Sequence, residues 1–281
     1  MCKFSILSLA MSLALAAAFP ALATDEEESL DTGMPATDLL PTVPGKAMAE
    51  GTPPEASVPY VVFSGNGGER YYSIGVAQEG YLTRFVSPAV YNMFYYEGYS
   101  TCSYKAGVLA LAYQYGGEAW GGSWSWLWGS PAVTSMSPLT IVRKTTDNRL
   151  QLTQEFTADK SEIDLTIKMT LKNISGQTLT GVELLRFADI DVPVGAGGDD
   201  WGGRSPIRAF VFQQRGVALD LLTSTYSPFP YLDPDPQGPA CGGWSAGGPL
   251  ASGDHKVKAR YYFGNMSAGA SRTVKFRYSR L

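Results

Sequence analysis

The stretch SEIDLTIKMTLKNISGQTLTGVELLRFADIDVP, residues Ser161 to Pro193, alternates apolar and polar side chains with the two-residue period of a β-strand. Ile163, Leu165, Ile167, Met169 and Leu171 fall on one parity, and Asp164, Thr166, Lys168, Thr170 and Lys172 on the other. A helix would scatter those apolar residues around its circumference. Asn173 to Gln177 supply a turn, where Gly176 can take positive φ and Asn173 or Ser175 can close the bend with a side-chain hydrogen bond. The chain then doubles back. Val182, Leu184, Ala188, Ile190 and Val192 share one parity of the return arm, with Glu183, Asp189 and Asp191 on the other. A slip of one residue would carry Lys168 and Lys172 into the core, so register is well specified. Arg186 breaks the rule by sitting on the apolar parity. A buried guanidinium costs several kcal/mol unless a carboxylate or carbonyls satisfy it, and Asp189 and Asp191 are the nearby acids expected to do so.

Working outward, Met1 to Ala23 has the form of a secretory signal: Lys3 at the start, an apolar run from Phe4 to Ala18, and Ala21-Leu22-Ala23 as a small-x-small cleavage site. That run is too short to span a bilayer, and no other stretch qualifies, so the expectation is an exported chain, extracellular or periplasmic, with no transmembrane segment. Residues 24–58 carry eight acids against Lys46 alone, five prolines and no aromatic residue. Such a composition cannot bury enough apolar surface to offset its conformational entropy, and it predicts a disordered acidic tether. The whole-chain charge of -4 therefore belongs to the tether, and the rest is near neutral, which argues against nucleic acid.

Residues 59–281 show short extended runs separated by Gly, Pro, Asn and Asp turns, with Asp147-Asn148 and Arg215-Gly216 as hairpin candidates. No segment of ten residues has helical periodicity. The fold class predicted is all-β: one large antiparallel two-sheet sandwich of a dozen or so strands with few or no helices. Removal of Cys2 with the signal leaves Cys102 and Cys241, an even pair expected to be bonded in an oxidising compartment.

Three quoted segments, SPAVYNMFYYEGYSTCSY from Ser87, LTQEFTADKSEIDLTIKMTLKNISGQTLTGVELLRFADIDV from Leu152 and YYFGNMSAGASRTVKFRYS from Tyr261, together resemble secreted bacterial β-sandwich proteins of uncharacterised function. Leu150 to Val192 and the ending also resemble the large β-sandwich domains, of supersandwich type, that accompany carbohydrate-active enzymes. The resemblance rests on strand pattern and turn residues, so it implies a fold and a setting and transfers no activity.

His255 is the only histidine, which removes multi-histidine metal sites and leaves no nucleophile elbow for a triad. The chain also lacks a phosphate-cradling loop and a dinucleotide fingerprint. Two constellations remain. Asp189, Asp191, Asp199 and Asp200 place four carboxylates within twelve positions, a set that suits calcium, or the acid and base of a glycosidase, or simply a solvated loop balancing Arg186 and Arg204. Trp124, Trp126 and Trp128 fall on one strand parity beside glycines, with Trp201 and Trp244 on glycine-rich loops elsewhere. Indole faces suit stacking on pyranose rings, and they suit core packing equally well. Lys256, Lys258 and Arg260 share a parity, as do Lys275 and Arg277, and are expected on edge strands that they protect from edge-to-edge pairing. These features together predict a non-catalytic binding or cell-envelope interaction protein with carbohydrate, or an envelope polymer, as ligand. The rivals are a polysaccharide hydrolase using two of the four aspartates and a purely structural surface protein.

Overall fold

The computed structural model describes residues 60–65, 72–86, 96–117, 122–159, 164–190, 201–205, 208–212, 216–226, 228–233, 250–252 and 256–280. Every regular element among them is a β-strand, and all pairings are antiparallel. The large sheet has nine strands in the order β16 (Leu250–Ser252), β12 (Trp201–Ser205), β13 (Arg208–Phe212), β14 (Gly216–Leu221), β18 (Ser271–Arg280), β10 (Asp164–Asn173), β9 (Leu150–Asp159), β8 (Leu139–Lys144) and β7 (Ala132–Met136). The second has six, in the order β15 (Pro228–Asp233), β17 (Lys256–Met266), β11 (Leu179–Asp189), β4 (Tyr96–Lys105), β5 (Val108–Gly117) and β6 (Gly122–Trp126). The two pack face to face as the predicted sandwich. A third sheet, β1 (Tyr60–Gly65), β2 (Tyr72–Val76) and β3 (Leu82–Val86), contributes Ile74, Val76, Leu82 and Phe85 to the same core. The expected signal and tether, residues 1–58, lie outside the described residues.

The alternation of the deciding stretch holds: Leu165, Ile167, Met169 and Leu171 are buried while Asp164, Thr166, Lys168 and Thr170 are half-buried. Its two arms, however, are not hydrogen-bonded to each other. β10 pairs with β9 and β18, whereas β11 pairs with β4 and β17, so residues 174–178 carry the chain from one sheet to the other. Each arm turns an apolar face to the core, and stacking those faces buries both, while β11 also buries Leu185 and Phe187 on its other side. The crossover is held as expected: Gly176 has φ 72°, and Asn173 Oδ1 accepts from the Ser175 N–H at 2.9 Å. Asn173 is fully buried, and its Nδ2 donates to the carbonyls of Gln177, Met266 and Ser267. The Asp147-Asn148 hairpin also forms, between β8 and β9, with Asn148 at φ 55°.

The basic residues expected on edges are interior instead. β17 lies between β15 and β11, and β18 is the middle strand of the nine. Lys256 and Lys258 are buried; Lys256 Nζ lies 3.7 Å from Asp189 Oδ2 and over the Tyr96 ring, and Arg260 lies 3.3 Å from Glu183 and over Phe229. Arg277 pairs with Asp220 and Asp164, and Asp220 also accepts from Arg208. Parity set their face correctly. Cross-strand acids and aromatic rings, which parity does not reveal, explain why cations can occupy central strands.

Candidate ligand-binding face

Facing away from the core, the six-stranded sheet carries a second apolar cluster of Tyr96, Leu185 and Phe187, with Tyr115 and Phe229 packed against it. Register explains its composition. Phe187 stands opposite Gly98, Gly98 opposite Tyr115, and Tyr113 opposite Trp126. Gly98 is required because a Cβ there would come within 2.2 Å of the Gln114 carbonyl oxygen and 2.5 Å of Tyr115 Cβ. The rings form a continuous surface: Tyr96 to Tyr115 at 5.8 Å, Tyr115 to Phe187 at 6.2 Å, and Tyr113 to Tyr115 at 5.7 Å. The inner rings are covered, but toward the β6 edge Tyr115 and Tyr113 are half-buried and Trp126 is 57% exposed. Burial pushes the Tyr115 phenol up to about 12, with Tyr113 beside it adding to the rise, and burial raises Tyr113 as well. Both phenols therefore remain O–H donors at neutral pH.

The tryptophan row does not continue as one strand face. β6 stops at Trp126, Leu127 takes φ 58°, and Trp128, 6% exposed, turns into the core, where it packs on Tyr99 and under Arg143. The left-handed residue inverts the alternation, which separates an exposed indole from a structural one. Trp124 holds the register position opposite Tyr115, and Trp201 that opposite Phe212; their side chains, and all of Trp244, lie outside the described residues. Asp189 is buried and committed to Lys256, while Asp191, Asp199 and Asp200 lie outside the described residues. No cluster of three His, Cys, Asp or Glu side chains occurs among the described residues. Cys102 is buried on β4, and Cys241 also lies outside them.

The expected partner of Arg186 was wrong. Arg186 and Glu97, both fully buried, meet in the core: NH2 donates to Glu97 Oε2 at 2.9 Å, and Nε lies 2.6 Å from Oε1. Glu97 also accepts from the Leu82 N–H at 2.6 Å and the Tyr278 hydroxyl at 2.9 Å, while Arg186 donates to Gln154 and to the Gly80 carbonyl. Asp189 has the opposite parity to Arg186 and points to the other face of β11, so it cannot reach. Glu97 shares its parity in β4 with Tyr99, Thr101, Ser103 and Lys105, so alternation gave no signal that this face is the buried one. A second interior arginine, Arg143, donates to Gln114, Tyr99, Ser125 and the Gly129 carbonyl, tying the edges of the two sheets together.

No known family and no curated protein matches the chain. Among solved structures it is similar to a bacterial glucoamylase complexed with acarbose, at 10% identity and a TM-score of 0.48, over 82% of this chain and 34% of that one. The chain thus spans about a third of that protein's length.

Proposed function

We propose that this is an exported, non-catalytic binding protein of the cell envelope whose ligand is carbohydrate, taken up on the outer face of β5 and β6. Support comes from one observation: Trp126, at 57% exposure, stands in cross-strand register with Tyr113 and continues an aromatic surface out to a sheet edge. An indole left in water at a rigid position offers an apolar plane for the C–H face of a pyranose, and the Tyr113 and Tyr115 hydroxyls supply donors beside it. The test is binding to a glycan panel by wild type and Trp126→Ala. Loss of at least tenfold in affinity, about 1.4 kcal/mol, at unchanged Tm is the expected result. Absence of binding to every glycan, or indifference to the substitution, would remove the reading. A calcium ion on Asp191, Asp199 and Asp200 is proposed alongside it, measured by a calcium-dependent rise in Tm that Asp199→Asn abolishes. The Cys102–Cys241 bond belongs to the same exported setting.

A further inference from the structure

The outer side of the nine-stranded sheet is polar across β8, β9, β10 and β18, and register sorts it into rows. Lys144, Gln151, Lys172 and Ser271 stand opposite one another in one row. The next holds Val142, Thr153, Thr170 and Thr273, and the one after it Thr140, Glu155, Lys168 and Lys275. Two cationic rows, about 13 Å apart from the rise of four strand residues, therefore flank a row of threonines. Lys144, Lys172, Thr273 and Lys275 are exposed. Among the described residues only Lys168 of these lysines has a carboxylate partner, Glu155 at 2.8 Å. Asp164 and Asp220, farther along the same face, are engaged by Arg277 and Arg208. Lys168 and Lys275 also oppose each other directly, an arrangement that destabilises a sheet. On an edge such lysines would repel a further strand. β10 and β18 are interior, so they have no edge to guard.

We propose that this face binds an acidic polysaccharide, its carboxylates on Lys144, Lys172, Lys168 and Lys275 and its hydroxyls on the threonine row. Charge sets the sign of the ligand: four lysines with one carboxylate among them attract an anion. The make-up of the face sets its class. An acidic peptide would bind by adding a strand, and β9, β10 and β18 are already paired on both sides. Nucleic acid strands want rings on which bases stack, and a lipid surface wants large apolar side chains to insert, whereas these rows hold hydroxyls between their cations. Thr170 and Thr273 share one hydrogen bond at 2.9 Å, which leaves the second hydroxyl proton of the pair for a sugar oxygen. This site is separate from the aromatic one, which lies on the other sheet.

Calorimetric titration of the full chain with polygalacturonate at roughly 20 and 500 mM NaCl tests the proposal, with dextran, polyglutamate and duplex DNA as comparison polymers. The expected result is binding to polygalacturonate at low salt that weakens at least tenfold at high salt, with dextran silent. The double variant Lys172→Gln, Lys275→Gln should also weaken it at least tenfold. Its Tm should be unchanged or raised, because both side chains are exposed and Lys275→Gln relieves the opposed charges. Trp126→Ala should leave this binding intact, so failure here and failure of the aromatic face are read separately. Absence of binding at low salt overturns the proposal. So does a double variant that binds like wild type, or equally tight binding of polyglutamate or DNA.

Discussion

Replacing Glu97 by Gln keeps the shape and hydrogen-bonding reach of the side chain while removing its titration, which isolates the cost of burying this carboxylate. Burial raises the Glu97 carboxyl from 4.5 to about 7, a rise that the Arg186 guanidinium and the Leu82 and Tyr278 donors reduce without cancelling. An acid whose folded-state pKa is raised holds its proton more tightly when folded. Its contribution to stability is fully present below about pH 4.5 and is lost as the pH climbs through about 7. At about 1.36 kcal/mol per pH unit, the loss from this one group amounts to about 3 kcal/mol. The sign is that of a buried pair in which desolvation outweighs Coulomb attraction. Urea unfolding of wild type and Glu97→Gln at intervals from pH 4.5 to 8.5 reads the effect directly. The stability advantage of wild type over the variant should shrink by about 3 kcal/mol across that range, levelling off above pH 7.5. Arg186→Met removes the attraction that lowers the carboxyl, and should move the window to higher pH. A difference that stays constant within about 1 kcal/mol, or that grows as the pH rises, would show that the guanidinium outweighs burial and would refute the reasoning.

Gly98→Ala should be among the most damaging single-atom additions in the domain, because the new carbon meets backbone and a Cβ rather than a movable side-chain end. A loss of roughly 3 kcal/mol or more, or failure to accumulate as folded protein, is expected from thermal melts and expression yield. Cys241→Ser, or reduction of the wild type, should lower stability by about 2–5 kcal/mol, since the bond would close a loop of more than a hundred residues. Equal denaturation midpoints with and without reductant would count against the Cys102–Cys241 pair.

Much of the sheet architecture was legible because the buried parity of residues 165–171 leaves only one way for that strand to face. Which strand lies beside it was not legible. Alternation fixes a face and is silent on neighbours, so the two arms of the deciding stretch read as adjacent when they stand in opposite sheets. The same limit hid the partner of Arg186, which lies 89 residues away in sequence and is brought near only by the β4–β11 ladder. For Lys256 and Arg260 of β17 parity gave the correct face, but their placement there depends on Asp189 and Tyr96 for the first and Glu183 for the second, all from other strands. On the candidate face, the tryptophans were visible as a group, and one left-handed residue, Leu127, decided which of Trp126 and Trp128 meets water. No residue-type preference marks leucine for that conformation. Tyr113 and Tyr115 were overlooked because their significance comes from the strands opposite.

β18 occupies the fifth place among nine strands and is drawn from the far end of the chain, residues 271–280. Without it, four strands on either side have no common backbone ladder, and Glu97 lacks the Tyr278 hydroxyl that reaches it from 181 residues downstream. The nine-stranded sheet therefore cannot close until β18 docks, and the chain must bring Thr273 back to Thr170 across 103 residues to do so.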